Sequence, residues 1–349
     1  MMKEMIAMLS EGRDLSREDA REAMRLMTRG EASDAQIAAF LMGLRMKGES
    51  PAELAGMAEG LREAALQVPT GGQPAGDNCG TGGDGSGTFN ISTAAAFIAA
   101  GAGVRVAKHG NRAVSSRCGS ADVLEALGVN IELTPQQAAS CLDEVGMVFL
   151  FAPLFHPAMR HVMGARRELG IPTAFNLLGP LVNPAGASFQ VVGANSPRRA
   201  GLLAGALAEL GKRRALVVHG DDGTDELTPA ASNHVWEVKE GAVRSYLLDP
   251  RELGLPRCRL EDLRGGDARQ NARIVMEALQ GRQGPVLDAC LLNASALLVA
   301  GEMAGDFSEA LELARASVDS GQALERLRRL QEFTTGCLRA HPAKETARG

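Results

Sequence analysis

The feature that most constrains the fold is an alternation of short apolar runs and helical segments from about residue 76 onwards. Apolar runs long enough for strands lie at 104–107, 147–152, 189–193 and 215–219. Helical periodicity occurs around them at 93–100, 120–127, 135–145, 197–210, 267–279 and 285–300. Such alternation predicts an α/β fold with a mostly parallel central sheet flanked by helices. A hairpin pattern at 235–246 adds one antiparallel pair.

The residues before this region predict helices only. Three serines there are each followed, three residues later, by Asp, Gln or Glu, which is the spacing of a helix N-cap. No strand pattern interrupts them. We therefore expect a small all-helical N-terminal domain at residues 1–70 and a larger α/β domain at 75–341. We also expect the helices at about 156–186 to pack on the small domain.

Charge and cysteine usage restrict the partners and the location of the protein. The net charge is -5, whereas a broad nucleic-acid surface needs an excess of basic residues. The six cysteines are scattered and form no CxxC pair, which favours reduced thiols in a cytoplasmic protein. No apolar run approaches the ~18 residues of a membrane span. We expect a cytoplasmic protein with neither a nucleic-acid nor a membrane partner.

The segment GTGGDGSGTFNIST, from Gly80 to Thr93, follows a short strand-like piece and leads into an Ala-rich helix. Glycines allow close approach of a ligand, and the exposed N–H groups of a helix N-terminus favour an anion. The spacing is neither that of a Walker loop nor that of a dinucleotide fingerprint. The segment therefore predicts a phosphate site, although a glycine-rich turn before a capped helix would have a similar sequence.

A second segment, KHGNRAVSSRCGS, runs from Lys108 to Ser120 directly after a predicted strand. It interleaves basic side chains with hydroxyl and amide groups. The carboxyl end of a strand in an α/β sheet is the expected place for an anionic ligand. Two such segments indicate a ligand that is phosphorylated at two places. For His109 and Arg117 taken alone, a structural or solvated role is equally compatible with the sequence.

The third segment, DDGTDELTP, extends from Asp221 to Pro229 and places four carboxylates within six residues. Clustered carboxylates repel one another unless a cation lies between them. Asp225 and Glu226 are adjacent, and together with the Ser92 hydroxyl they could bind magnesium. An exposed acidic turn is the alternative interpretation of this segment by itself.

A fourth segment, 151–186, contains a helix with two neighbouring arginines, Arg166 and Arg167. An arginine among apolar residues can bind a carboxylate through two parallel hydrogen bonds. The alternative is that Arg167 is a surface charge and His156 only a residue at the helix start.

These segments, in this order and at these spacings, resemble the anthranilate phosphoribosyltransferases of tryptophan biosynthesis. The resemblance covers nearly the whole chain, including SDAQIAAFLMGLRMKGESPAELAG near the start and GGDARQNARIVMEALQG near the end. It implies a small helical domain joined to a larger α/β domain, usually in a homodimer formed through the small domains. It also implies transfer of the 5-phosphoribosyl group from phosphoribosyl pyrophosphate to anthranilate, with pyrophosphate as the second product.

The resemblance also assigns roles to residues. Phosphoribosyl pyrophosphate would contact Gly80, Gly83, Asp84, Thr88, Asn90, Ile91, Ser92, Thr93, Lys108, His109, Gly110, Asn111, Arg112, Ala113, Val114, Ser115, Ser116 and Ser120. Anthranilate would lie against Gly80, Asn111, Arg166 and Gly179. Magnesium, at two ions per subunit, would be held by Ser92, Asp225 and Glu226. His109 is the only candidate for a general base.

The chain departs from the family pattern at three places, and two other functions stay open. Cys118 replaces a small residue, Thr224 replaces a Leu, and the piece at 77–79 is more polar than expected.

A pyrimidine nucleoside phosphorylase has a related glycine loop but does not need the acidic pair. A non-catalytic relative that binds nucleic acid would be basic and would have a damaged acidic motif.

Overall fold

The computed structural model describes residues 1–113 and 117–340 and confirms the predicted fold class. Its central sheet has seven strands: β1 (Gly76–Gly80), β2 (Val106–Gly110), β3 (Met147–Phe151), β4 (Phe189–Gly193), β5 (Arg214–Gly220), β6 (Asn233–Lys239) and β7 (Ala242–Leu248). The order across the sheet is β3-β2-β1-β4-β5-β6-β7. Strands β1 to β5 pair in parallel, and β6 and β7 add the predicted antiparallel hairpin.

Helices cover both faces of this sheet. The first four are α1 (Met2–Ser10), α2 (Arg17–Thr28), α3 (Asp34–Lys47) and α4 (Pro51–Glu63). The next six are α5 (Ile91–Gly101), α6 (Ser120–Ala126), α7 (Pro135–Val145), α8 (Ala152–Phe155), α9 (Arg160–Leu169) and α10 (Phe175–Leu178). The remaining five are α11 (Pro197–Glu209), α12 (Ala268–Leu279), α13 (Pro285–Ala300), α14 (Phe307–Asp319) and α15 (Gln322–Ala340). No helix of the described residues is long and apolar enough to cross a membrane.

Local capping explains where the N-terminal helices begin. The Ser16 side chain accepts a hydrogen bond from the backbone N–H of Asp19. Ser33 and Ser50 each form a complete capping box with the third residue of the following helix. Each cap stabilises its helix by about 0.5–2 kcal/mol relative to alanine. The helix starts that the sequence predicts are therefore confirmed.

Strand β2 begins two residues later than predicted and continues through Lys108 and His109 to Gly110. These polar residues stay in the strand because β2 pairs in register with β3 over its whole length. Strand β1 is also polar, and its buried Asp77 accepts hydrogen bonds from the His109 N–H at 3.0 Å and from Asn183 Nδ2 at 2.8 Å. The buried Asp77 carboxylate is tolerated here because both of its oxygens accept a hydrogen bond.

Two apolar cores lie on the opposite faces of the sheet. Val191 and Val218 belong to the core that contains α5, α7 and α12–α15, whereas Val192 and Val217 belong to the other. Alternate strand residues point to opposite faces, which separates the two cores. The second core also contains α1–α4, α9, α10 and α11. Helix α9 contacts α2 and α3, and α10 contacts α4; the domain limits at 70 and 75 stay a prediction.

Candidate active site

The carboxyl ends of β1 and β4 lie side by side at the point where the strand order changes direction. Gly80 of β1 pairs with Gly193 of β4. Ligands of open α/β sheets bind in the crevice that such a switch point creates. Here the acidic loop at 221–229 crosses the strand ends directly: a Cβ on Gly80 would lie 2.2 Å from Asp225 Oδ2, and one on Gly193 only 1.6 Å from the Asp225 carbonyl oxygen. Glycine at both strand ends is therefore required by the position of Asp225.

The glycine loop between β1 and α5 has a backbone that other residues adopt rarely. Gly82, Gly83, Gly85 and Gly87 have φ angles of +67°, +72°, +72° and +68°. Within the described residues, no atom lies within 4 Å of the Cβ position of Gly82, Gly85 or Gly87. The loop is therefore open on that side, and it leads into the N-terminus of α5, where N–H groups and the helix dipole favour an anion.

Asn90 precedes α5 and connects three parts of the site. Its Nδ2 donates to the Cys118 carbonyl at the end of the basic segment, at 3.2 Å. Its Oδ1 accepts from Asn271 Nδ2 of α12 at 2.9 Å. The buried Asn271 also accepts a hydrogen bond from the Gly266 N–H at 2.7 Å. The start of α5 is thus held by a network of amide side chains.

The acidic loop contacts both ends of the glycine loop. Asp225 Oδ2 accepts a hydrogen bond from the Gly82 N–H at 2.7 Å, and Glu226 Oε1 accepts from the Ser92 N–H at 3.2 Å. Burial raises the pKa of Asp225, and the nearby Asp84 carboxylate raises it further. Burial and then Asp225 raise the pKa of Glu226. Negative charge is therefore crowded here, as expected where a cation is part of the functional state.

The donors at this place fit magnesium. Asp225, Glu226 and the hydroxyl of Ser92 offer the hard oxygen atoms that Mg²⁺ prefers. No group of three or more His, Cys, Asp or Glu side chains that could hold a metal ion is found within residues 1–113 and 117–340. Magnesium commonly binds through one or two carboxylates and completes its coordination with substrate phosphates and water. The arrangement therefore suits an ion that arrives with an anionic ligand.

Lys108 lies in β2 and is only 1% exposed. Its Nζ donates to the Asn78 carbonyl and, at 3.3 Å, to Asn78 Oδ1. Asn78 Nδ2 in turn donates to the Ser92 carbonyl at 2.7 Å. The ammonium also lowers the pKa of Glu226, partly opposing the effect of burial. A buried positive charge thus lies close to the carboxylates and the start of α5.

His109 faces the opposite side of β2 and is buried against Gly179. Its Nδ1 lies 3.2 Å from the Gly179 carbonyl oxygen, and its Nε2 has no hydrogen-bond partner in the described chain. The His156 ring packs edge-on against it, with 5.2 Å between centroids. Burial lowers the pKa of His109 to about 4 and that of His156 to about 3. Both imidazoles are therefore neutral at pH 7.

The rest of the basic segment is more exposed. Arg112 pairs with Glu125 and Asp122 of α6, and its Cζ lies 5.4 Å from the Phe151 ring centroid. Asn111 Oδ1 accepts from the Arg112 N–H at 2.8 Å, and the Asn111 carbonyl accepts from Ser120 Oγ at 3.3 Å. Arg112 would have to exchange its acidic partners to bind a phosphate. The predicted contacts at Val114, Ser115 and Ser116 lie outside the described residues.

Arg166 occupies the last turn of α9 and is half-buried. Its Cζ lies 4.9 Å from the Phe175 ring centroid, and Nη1 lies 3.8 Å from Met163 Sδ. Burial lowers its pKa. In the part of the chain that the structure describes, Arg166 forms no ion pair, whereas the adjacent Arg167 is exposed. Arg166 is thus a partly desolvated cation with no anionic partner among the described residues.

A cleft of about 580 Å³ opens beside the glycine loop, between that loop, the end of α3, α10 and the start of α11. Its walls include Arg45, Glu49, Gly83, Asp84, Thr173, Leu177, Asn195, Ser196, Arg198, Arg199 and Leu202. The cleft gives solvent access to the glycine loop from the side of the N-terminal helices.

Comparison with known proteins decides the family. The family model described as "Glycosyl transferase family, helical bundle domain" matches residues 3–65, and "Glycosyl transferase family, a/b domain" matches residues 72–324. An anthranilate phosphoribosyltransferase of Desulforudis audaxviator is 54% identical over 337 residues, which is 97% of each chain. The enzyme of that name from Moorella thermoacetica is 53% identical over 94% of this chain and 96% of its own. The chain belongs to the anthranilate phosphoribosyltransferase family.

Solved structures of this family agree with the fold. Anthranilate phosphoribosyltransferase from Thermus thermophilus is 46% identical and superposes with a TM-score of 0.90 over 95% of this chain and 99% of its own. The Saccharomyces cerevisiae enzyme, solved in complex with PRPP and Mg, is 28% identical with a TM-score of 0.87 over 96% and 98%. The predicted family and fold class are confirmed, while the individual site assignments stay predictions.

Four asparagines of the site were not identified from the sequence: Asn78, Asn183, Asn195 and Asn271. Asn78 interrupts a central strand, and Asn271 lies on the buried face of α12. A polar residue at an otherwise buried position is the signal that could have pointed to these two. Asn183 lies in a turn before β4, and Asn195 lies in an ordinary connection after β4.

Proposed function

We propose that this chain transfers the 5-phosphoribosyl group from phosphoribosyl pyrophosphate to anthranilate, giving N-(5-phosphoribosyl)anthranilate and pyrophosphate. This is the second step of tryptophan biosynthesis from chorismate. The observation that carries the proposal is the contact between the acidic loop and the glycine loop, through Asp225 to Gly82 and Glu226 to Ser92. A phosphate-binding loop joined to buried carboxylates suits a polyphosphate that carries its own cations.

The donor would be held mainly by backbone groups. The open side of the glycine loop and the N-terminus of α5 would bind the phosphates, with Lys108 as the buried counter-charge. Lys108 is already desolvated, so it would contribute charge without losing much side-chain freedom on binding. Fixing the donor in this way orients its anomeric carbon towards the acceptor, and such positioning can account for much of the catalysis.

Ser92, Asp225 and Glu226 would hold magnesium, with two ions per subunit as the proposed number. When bound, Mg²⁺ neutralises the charge that develops on the departing pyrophosphate. The two carboxylates accept hydrogen bonds from the backbone N–H groups of Gly82 and Ser92. That support keeps the carboxylate oxygens in place when a ligand arrives.

The acceptor would be oriented by Arg166, Asn111, Gly80 and Gly179. The Arg166 guanidinium matches the anthranilate carboxylate in two parallel hydrogen bonds. The aromatic amine of anthranilate is unprotonated at neutral pH, so it can form the new N–C bond as the C–O bond to pyrophosphate breaks. Its surplus proton then leaves to solvent or to pyrophosphate. His109, with a pKa of about 4, is a poor proton acceptor and is better assigned to the pocket wall.

One comparison of substrates tests this proposal. The purified protein is incubated with anthranilate, phosphoribosyl pyrophosphate and Mg²⁺, and in parallel with thymidine and inorganic phosphate, and products are separated by chromatography. We expect phosphoribosyl-anthranilate from the first mixture and no thymine from the second. Release of thymine alone would instead establish a pyrimidine nucleoside phosphorylase, which does not need the Asp225–Glu226 pair.

A homodimer formed through the N-terminal helices and a cytoplasmic location are also part of the proposal. Met46 at the end of α3 and Met163 of α9 are large apolar residues that are 81% and 42% exposed. The proposal predicts that a second copy of the chain covers exposed apolar side chains of these helices. Light scattering at micromolar concentration should give twice the chain mass, and Met46→Glu should shift it towards the monomer. Cell fractionation should recover the protein with soluble cytoplasmic enzymes.

A further inference from the structure

Asn195 lies in the short connection between β4 and α11, next to the switch point. Its Nδ2 donates hydrogen bonds to the carbonyl oxygens of Gly82 and Gly83, at 3.1 and 3.2 Å. One side chain from outside the glycine loop therefore holds two consecutive carbonyl groups of that loop. Among the described residues of the predicted substrate and metal sites, none makes this contact.

Arg199 fixes the orientation of the Asn195 amide. It lies one helical turn later, in the first turn of α11, and its Nη1 donates to Asn195 Oδ1 at 2.7 Å. A guanidinium only donates hydrogen bonds, so it must face the amide oxygen. The amide nitrogen is thereby left to face the two loop carbonyls. The hydrogen bonds from Arg199 to Asn195 and from Asn195 to the glycine loop thus have one allowed arrangement of donors and acceptors. We call this series the Arg199–Asn195 relay.

Gly82 is held from both sides as a result. Its N–H donates to Asp225 Oδ2 at 2.7 Å, while its carbonyl accepts from Asn195. Thr81 adds a third point, because its N–H donates to the Gly193 carbonyl at 2.9 Å. In contrast, the N–H groups of Gly83, Gly85 and Gly87 have no acceptor within the described residues. The loop is thus fixed at its base, and its free donors lie further along.

We infer that Asn195 and Arg199 are positioning residues that set the glycine loop for phosphoribosyl pyrophosphate through the hydrogen bonds of Asn195 to the loop backbone. Glycines with positive φ have several accessible conformations, and restricting them before binding removes an entropic cost that the ligand would otherwise bear. The inference rests on the proposed function, because it concerns the donor of that reaction. It predicts a selective effect on donor binding, since neither residue contacts the predicted acceptor pocket around Arg166 and Gly179.

Steady-state kinetics of the full-length protein test the inference. Asn195→Ala should raise the KM for phosphoribosyl pyrophosphate about tenfold, which corresponds to ~1.4 kcal/mol. The kcat and the KM for anthranilate should each change by less than about threefold, because the acceptor pocket and the metal ligands are untouched. Asn195→Asp should be at least as harmful, because it keeps the Arg199 contact and removes only the N–H donors to the loop.

Variants of Arg199 test the second half of the relay. Arg199→Ala should raise the same KM several-fold, and Arg199→Lys should restore most of the loss, because an ammonium can also donate to Oδ1. The double variant Asn195→Ala with Arg199→Ala should be no worse than Asn195→Ala alone, as expected for residues that act in series. Arg198→Ala is the matched control, since Arg198 lines the same cleft and makes no hydrogen bond to Asn195 in the described chain.

Three results would overturn the inference. The first is an unchanged donor KM in both Asn195 variants. The second is an Arg198→Ala effect as large as that of Arg199→Ala, which would show that the charge of the cleft matters rather than the relay. The third is an equal loss in kcat and both KM values with a large fall in melting temperature, as a merely structural role predicts. A wild-type protein that fails to use phosphoribosyl pyrophosphate with anthranilate would instead reject the proposed function.

Discussion

Arg166→Ala is the substitution that most directly tests how the acceptor is recognised. The Arg166 guanidinium is half-buried, stacks on Phe175 at 4.9 Å and forms no ion pair in the described residues. Part of its desolvation is therefore already complete before the anthranilate carboxylate arrives. A charge-assisted hydrogen bond contributes about 1.5–3 kcal/mol in such a setting. Loss of the guanidinium should raise the KM for anthranilate by at least about tenfold, since ~1.4 kcal/mol is one decade.

The assay follows anthranilate fluorescence. Anthranilate is varied at saturating phosphoribosyl pyrophosphate, and phosphoribosyl pyrophosphate is then varied at saturating anthranilate, so that each KM is obtained separately. The KM for phosphoribosyl pyrophosphate should change much less, because its predicted contacts lie on the glycine loop and the basic segment. Arg167→Ala is the control, since adjacent helix residues point about 100° apart and Arg167 is exposed. If Arg167→Ala raised the KM for anthranilate and Arg166→Ala did not, the assignment would be refuted. If neither substitution changed this KM, the acceptor would bind elsewhere.

Three further predictions concern the acidic loop, the core and the subunit contact. Gly193→Ala should abolish turnover, because its Cβ would lie 1.6 Å from the Asp225 carbonyl oxygen. Gly201→Ala is the control, since its Cβ would have open space, and it should keep activity. Equal activity of the two variants would contradict this prediction. Burial lowers the pKa of Lys212 to about 7, so from about pH 7 to 10.5 the unfolded chain binds more protons and this lysine makes stability rise with pH. The free energy of unfolding of Lys212→Met, measured with denaturant, should not show that rise with pH. A pH dependence that is the same for both proteins would disprove the role of Lys212. Met46→Glu should yield a monomer by light scattering, and a wild-type monomer would reject the subunit contact.

Local patterns made the fold predictable. The helix starts at Ser33 and Ser50 depend on residues three positions apart, and the sequence alone contains that information. The alternation of apolar residues in β4 and β5 follows from a sheet with a core on each face. Strand β1 was harder to define because Asp77 and Asn78 are polar. Their burial depends on partners that are distant in sequence, namely Asn183 for Asp77 and Lys108 for Asn78.

The candidate site was predictable where residues are consecutive and chemically distinctive. The glycine loop and the pair Asp225–Glu226 were recognised in this way, and the structure brings them into hydrogen-bonding contact. The role of Asn195 was not predictable, because it reaches a loop more than 110 positions earlier in the chain. The neutrality of His109 also required the fold, since its pKa is lowered by burial, which outweighs the opposite effect of the hydrogen bond to the Gly179 carbonyl.

In the proposed function, the acidic loop and the glycine loop together bind phosphoribosyl pyrophosphate with magnesium. The most direct test compares wild type with the double variant Asp225→Asn and Glu226→Gln, which keeps side-chain size and removes both charges. Anthranilate fluorescence is followed with phosphoribosyl pyrophosphate, with and without Mg²⁺, after circular dichroism has established that both proteins are folded. We expect loss of anthranilate fluorescence only for the wild type with Mg²⁺. Turnover by the folded double variant near the wild-type rate, at ordinary Mg²⁺ concentration, would contradict it.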